Sequence, residues 1–340
     1  MKPSSGPDAP VKAVFFLEPL PLAAPMIAAW AQAGHEVTAI VLPHRHNARL
    51  AWHWTRLTEP QGPHWSLPGM LRRHAPKAPI IRLPYRPRWD MLAGHMCSFD
   101  ADVLVSAFFP RCIPDGVLGA FRHGGVNLHP SRLPHCRGPA PLHHLLLSNT
   151  WREHGGVTLH RMTSKLDEGE TIAFAPLADA QWRDRGTLDR ALGGAFAALA
   201  VNALPAFCRG EIAAKEQAPG EPAWAGELGE MMVRTTWTAD QLNRVLAFFG
   251  RTPGIWLPVG ETRIRLGAAM KAVGPPHGLP SHSAAGTTEF DLADARVACR
   301  PEPWLKARSA RRRARAEWRQ SPPEISVFSA QPAGREGGKT

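Results

Sequence analysis

Residues 11–42 read VKAVFFLEPLPLAAPMIAAWAQAGHEVTAIVL, and the order of patterns in this stretch decides the fold. VKAVFFL (11–17) is an unbroken apolar run rich in Val and Phe, the composition of a strand covered on both faces. A helix is predicted next. Pro25 suits its first turn, Met26, Ile27, Trp30 and Ala33 fall along one stripe, and Gly34 stands where a helix stops. EVTAIVL (36–42) is a second strand. Strand, helix, strand with short connections predicts a parallel α/β sheet.

Working outward, APIIRL (78–83), ADVLVSAF (101–108), VNLH (126–129), VTLHRM (157–162) and TIAFAPL (171–177) add further strands. A helix over 139–148 puts Leu142, Leu145 and Leu146 on one side. A longer one over 187–207 carries Leu188, Leu192, Phe196, Leu199 and Ala203 at helical spacing. Near Gly210 the composition shifts, and EIAAKEQAPGEPAWAGELGE (211–230) reads as an extended linker. Leu242, Val245, Leu246 and Phe249 mark an amphipathic helix, after which short alternating segments (IWLPV, TRIRLGAAM, EFDLADARVAC) suggest a small β domain. The expected organisation is a flexible leader (1–10), an α/β domain (11–208), a linker (209–237), a β domain (238–300) and a basic low-complexity tail (301–340).

The chain has 340 residues, 44% hydrophobic and 20% charged, ample for a packed core and unlike a collagen or a disulfide scaffold. The nearest approach to a spanning segment, Ala13 to Ala33, is broken by Glu18, Pro19, Pro21 and Pro25. It also lacks a clean cleavage site, so a soluble cytoplasmic protein without a membrane partner is expected. Cys97, Cys112, Cys136, Cys208 and Cys299 are odd in number, far apart and free of any CxxC pair, which argues against disulfides and thiolate zinc. No GxGxxG, GxxxxGK[ST] or HExxH motif occurs. Adjacent His143 and His144 point in different directions on a helix, so no metal is expected. A net charge of +11 suits a polyanionic partner, or is simply a basic surface.

Two stretches carry candidate chemistry. In GGVNLHPSRLPHCRGPAP (124–141), Asn127 and His129 sit two apart at a strand end, so their side chains leave the sheet on one side. The carboxyl edge of a parallel sheet is where ligands bind. An amide donor beside an imidazole suits acyl transfer; the residues alone equally allow a polar strand end with a satisfied histidine. The basic stretch 43–68, with Trp52, Trp54 and Trp65, is too long for an idle connection. Its tryptophans either stack on bases or cap a local core.

These residues resemble the 10-formyltetrahydrofolate-dependent formyltransferase family. That family carries an Asn-x-His followed by a Ser-Leu-Leu-Pro-like run, here Asn127, His129 and Ser131-Arg132-Leu133-Pro134, then Arg137-Gly138 and Ala140-Pro141. Its Leu-Asp-x-Gly motif after a Gly-Val-Thr-Ile strand matches GVTLHRMTSKLDEGETI, with Leu166, Asp167 and Gly169. Within the family the resemblance is nearest to the enzymes that formylate methionyl initiator tRNA. It covers roughly residues 11–270 and includes EPAWAGEL, TADQLNRVLAF and RTPGIWLPVGETRIRL.

The resemblance implies a Rossmann-like, mostly parallel sheet with a smaller C-terminal OB-like β-barrel. It implies formyl transfer from 10-formyltetrahydrofolate as co-substrate, without a metal, by a monomer that binds tRNA. Asn127, His129 and Asp167 would be catalytic. Ser131, Arg132, Leu133 and Pro134, with Phe109, Arg111, Cys112 and Ile113 of FFPRCIP (108–114), would bind the folate. On the residues alone, ordinary strand-end packing is the lesser alternative for FFPRCIP. Arg45, Arg49 and Arg56, and the tail arginines at 311–313, would contact tRNA phosphates.

The chain departs from the family pattern at Arg132, where Leu is expected, and at Thr163-Ser164-Lys165, where an acidic, Gly-containing stretch is expected. The loop around Ser148 to His154, which separates the two catalytic motifs, is also slightly longer, and the later barrel strands are eroded. Alternatives to tRNA are a small amine acceptor, such as an amino sugar or a hydroxylated amino acid, and a non-catalytic RNA-binding protein on this scaffold.

Overall fold

A computed structural model of the chain describes residues 9–18, 20–43, 67–218, 231–249, 255–259, 262–266, 271–278, 282–284 and 287–299. Strand β1 (Lys12–Leu17) is the run VKAVFFL less its first residue, and it is an interior strand of a seven-stranded sheet. Its alternate side chains enter different cores. Ala13, Phe15 and Leu17 join the larger cluster and Val14 and Phe16 a second one, which is why no polar residue interrupts the strand.

Helix α1 (Ala24–Gln32) follows with Pro25 in its first turn, and Gly34 beyond its end takes φ +84°. The chain continues through β2 (Glu36–Leu42), α2 (Leu67–His74), β3 (Ile80–Arg82), α3 (Trp89–Cys97), β4 (Val103–Ala107), α4 (Asp115–Leu118) and β5 (Gly125–His129). Next come α5 (Pro141–Leu147), α6 (Trp151–His154), β6 (Gly156–Arg161) and β7 (Thr171–Pro176). The sheet order is β3-β2-β1-β4-β5-β6-β7. The first five strands run parallel, while β6 and β7 pair antiparallel. Strand order reverses between β1 and β4, and open α/β sheets bind ligands outside the carboxyl ends at such a switch point.

The segment from Ser148 to His154, read as loop, contains α6. Its Trp151 is fully buried and lies 5.6 Å from Trp182, with Arg152 and Arg244 over its ring, so an aromatic anchor makes this a structured element. The long helix is α7 (Arg185–Ala198), capped by Asp184, which accepts from the Thr187 amide at 2.8 Å. It runs through a π turn (Leu199–Ala203) into α8 (Leu204–Cys208). Pro205 has no N–H for the carbonyl four residues back, and the looser turn absorbs that loss. Arg185–Cys208 is long and apolar enough to cross a membrane by length and composition, which the sequence reading did not single out. Most of it is buried in the core beside α1.

The supposed linker is in part structured. Lys215 makes an antiparallel bridge to Thr171 on β7, and β8 (Met231–Met232) pairs with β9 (Ile255–Val259). Helix α9 (Ala239–Phe249) buries Leu242, Val245, Leu246 and Phe249 in the same cluster as the sheet. It is tied down by Gln241, which donates to the Leu147 carbonyl at 2.9 Å. Strands β9 and β10 (Thr262–Leu266) complete a three-stranded sheet with β8. Strands β11 (Lys271–Gly274), β12 (His282–Ala284), β13 (Thr287–Asp291) and β14 (Arg296–Cys299) form a four-stranded antiparallel sheet. Among the described residues, the strands of the C-terminal region thus fall into a three-stranded and a four-stranded sheet.

Candidate active site

The site is assembled where β5 meets β6. Asn127 and His129 project from β5, with their two-residue spacing on one side of the strand. The antiparallel register sets His160 of β6 directly opposite Asn127. The turn between β6 and β7 brings in Asp167, and the loop after β5 brings in Cys136, Arg137 and Gly138.

Asp167 is the hub. Its Oδ2 accepts from the Gly138 amide at 2.8 Å and lies 3.6 Å from His129 Nδ1. Its Oδ1 accepts from Asn127 Nδ2 at 3.4 Å and lies 3.6 Å from His160 Nε2. The Asp167, His129 and His160 side chains are each no more than 5% exposed, so these interactions are shielded from water.

Hydrogen-bond partners define the proton positions. The Arg161 carbonyl, 2.8 Å from His160 Nδ1, can only accept, so Nδ1 carries the proton. Burial pushes the His160 pKa down to about 4 against the attraction of Asp167, and the ring is neutral near pH 7. Its Nε2 therefore accepts from Asn127 Nδ2 at 3.2 Å. By the same logic His129 Nε2 donates to the Cys136 carbonyl at 2.9 Å, which turns Nδ1 toward Asp167. The N–H groups of the Asn127 amide and of His129 Nε2 thus face internal acceptors, as buried polar groups must. The 3.4 Å bond from Asn127 to Asp167 is the longest and weakest of them.

Three non-glycine residues around the site have left-handed backbone: Phe108 (φ 53°), Cys136 (φ 57°) and Asp167 (φ 56°). Such conformations cost on the order of 1 kcal/mol or more and gather at functional sites. Gly169 of the Leu-Asp-x-Gly motif has a steric reason. A Cβ there would sit 1.9 Å from the Arg161 carbonyl oxygen, so only glycine lets the turn fold back on β6.

The residues expected to bind folate fall into two groups. Ser131, Leu133 and Pro134 are buried, and the Ser131 hydroxyl donates to the His135 carbonyl at 2.7 Å, so these three build the turn. Arg132 is exposed, with its guanidinium 4.3 Å over the Phe174 ring. In the loop after β4, Phe109 lies edge-on to Phe16 and Ile113 is buried in the second cluster. Arg111 lies over Tyr85, and Cys112 is exposed. This loop stands at the carboxyl end of β4, between the switch point and Asn127. Arg45, Arg49, Arg56, the stretch 44–66 and the tail arginines at 311–313 lie outside the described residues.

Sequence reasoning missed His160 and Gln217, and it gave Arg137, quoted within the motif, no role of its own. A histidine inside the strand VTLHR was the available signal for His160. Gln217 had none, because it lies in what reads as linker. No cluster of His, Cys, Asp and Glu able to hold a metal occurs among the described residues.

The mostly parallel sheet thus presents an amide, an imidazole and a carboxylate together at its carboxyl edge. Residues 72–191 match the formyl transferase family. A methionyl-tRNA formyltransferase from Listeria innocua is 33% identical over 155 residues, 46% of this chain and 49% of that protein. The chain thus spans about half the length of such Listeria relatives. A methionyl-tRNA formyltransferase from Thiobacillus denitrificans is 28% identical over 293 residues, 84% of this chain and 87% of that one.

Among solved structures, an N-formyltransferase from Helicobacter canadensis with folinic acid and dTDP-3-aminofucose superposes with a TM-score of 0.56. Its identity is 13%, over 86% of this chain and all of that one. HypX from Aquifex aeolicus with tetrahydrofolic acid gives 0.50 at 18%, over 84% of this chain and 43% of that one. At these identities the likeness is one of fold.

Proposed function

We propose that this protein transfers a formyl group from 10-formyltetrahydrofolate to a primary amine, with Asn127, His129 and Asp167 as its catalytic residues. The observation that carries the reading is the Asp167 carboxylate, buried within 3.4–3.6 Å of both Asn127 and His129 at the carboxyl edge of the sheet. The folate derivative supplies an activated formyl carbon; the chain's residues supply orientation, charge and a proton path. The loop after β4 supports the fit, since half-buried Phe109, backbone at the switch point and Arg111 together suit a flat, partly apolar ligand with an acidic end.

As the amine attacks, negative charge grows on the formyl oxygen. Asn127 answers it by turning its weakly held N–H from Asp167, and losing one such donor typically costs about 2.7–4 kcal/mol of barrier. The attacking nitrogen must also shed a proton. His129 Nδ1 and the Asp167 carboxylate form the acceptor pair, and the same pair returns the proton to the departing folate nitrogen. His129 keeps its aim because Nε2 is held on the Cys136 carbonyl.

For the acceptor we favour the amino group of methionyl initiator tRNA. The names and coverage of the bacterial relatives, the charge of +11 and the arginines at 45, 49 and 56 support it. A small amine is the second reading, favoured by the exposed Thr163-Ser164-Lys165 next to Asp167, where the family pattern is acidic. The test is incubation with 10-formyltetrahydrofolate and a panel of amines including charged tRNA, with mass detection of the formyl adduct. A formyl adduct on methionyl-tRNA is expected. An adduct on a free amine alone moves the acceptor to the second reading, and no adduct on any amine ends the proposal.

A further inference from the structure

The segment after α8 reads as linker, yet its side chain at position 217 reaches into the site. Lys215 pairs with Thr171 through both backbone bonds, Thr171 N to Lys215 O at 2.7 Å and Lys215 N to Thr171 O at 2.8 Å. This adds a one-residue rung to the free edge of β7 and aims the half-buried Gln217 at the Asp167 turn. Gln217 Nε2 donates to the carbonyls of Asp167 (2.7 Å) and Gly169 (2.8 Å). Its Oε1 accepts from Arg137 Nε at 3.0 Å and also from Arg137 Nη2. Two donors and two lone pairs are all that a primary amide has, and here each is taken up.

We propose that Gln217 is a positioning residue, a four-bond clamp that locks the Asp167 turn to the Arg137–Gly138 loop and so sets the Asp167 carboxylate on His129. The two loops it joins are those that meet at Asp167, since Gly138 holds the side chain and Gln217 the main chain. Asp167 sits in left-handed backbone, which persists only where the surroundings over-determine it. The clamp supplies that determination from a segment remote in sequence. Arg137 acts as the second jaw. Its guanidinium would be a cation beside the Asp turn, and the amide between them passes on orientation while carrying no net charge.

The proposal rests on the formyl-transfer reading, and the test separates the two. Wild type and the variants Gln217→Met, Gln217→Glu and Gln217→Ala are compared by steady-state kinetics with the accepted amine and by amide hydrogen exchange of residues 163–170. Met keeps the volume and removes every hydrogen bond; Glu keeps the Arg137 contact and replaces both donors with acceptors.

Expected are a fall in kcat of about tenfold or more for Met and Ala, with KM for the formyl donor within about twofold. Exchange at 163–170 rises while that of β1 and β4 is unchanged. Glu adds a like charge beside Asp167 and should move the acidic limb of the kcat profile upward by about half a pH unit or more. A kcat within twofold of wild type for both Met and Ala, or protection at 163–170 equal to wild type, overturns the proposal. A general loss of protection across the sheet also overturns it, because it marks a merely structural glutamine. If wild type transfers no formyl group, that failure falls on the proposed function. The exchange result alone then judges the clamp.

Discussion

Asp167 illustrates how much one residue here depends on its neighbours. Its carboxylate meets two histidines, an asparagine and a backbone amide, and its main chain is held in a conformation that few side chains tolerate. Asp167→Asn keeps the size and an acceptor for Gly138 but removes the charge facing His129 Nδ1. A loss of about 10²–10⁴ in kcat is expected, read in the formyl-adduct assay. Gly169→Ala should lower stability by roughly 1–3 kcal/mol in denaturant titration. The added Cβ meets the Arg161 carbonyl rather than a movable side-chain tip. The Asn-x-His spacing and the Asp of the third motif were legible in sequence because they are short, local patterns. His160 was less so, since its role comes from cross-strand register with Asn127.

At the scale of elements, α5 and α9 meet across a stacked pair, His143 on Phe249 with ring centroids 4.2 Å apart. Burial, with the Arg185 charge as a second cause, pushes the His143 pKa down to about 4. In the unfolded chain an imidazole titrates near 6.5. Between pH 6.5 and 4 the unfolded state therefore binds the extra proton and the folded state does not. Folding stability should fall as pH drops through that window and be insensitive to this group above it. His143→Phe removes the titration, and its advantage over wild type should grow by on the order of 3 kcal/mol from pH 7 to pH 4. Urea midpoints at the two pH values check this, and a pH-independent difference would count against it. The same elements show where sequence reading stopped. The helix over 187–207 was legible from its apolar spacing, but its π turn depends on one proline, and α6 on a tryptophan whose partner lies about thirty residues away.

For the whole molecule, the charge of +11 and the proposed phosphate contacts at Arg45, Arg49 and Arg56 make a prediction about salt. If the acceptor is tRNA, log Kd should rise linearly with log salt concentration. Each of Arg45→Ala, Arg49→Ala and Arg56→Ala should reduce that slope by roughly 0.7–0.9. Binding measured by filter retention across a salt series decides it. An unchanged slope in all three variants would remove these arginines from the interface.

The sequence by itself determined the α/β class, a first strand covered on both faces and the identities of the amide, imidazole and carboxylate. Each of these is written in patterns a few residues long: a two-face apolar run, a two-residue spacing, a glycine two after an aspartate. Only the tertiary structure decided that His160 and Gln217 belong to the site, that the Ser131 turn is buried, and that part of the apparent linker is a strand rung. Those facts depend on which segments pair across the sheet and on which polar groups burial forces to find partners, and neither is encoded by residues adjacent in the chain.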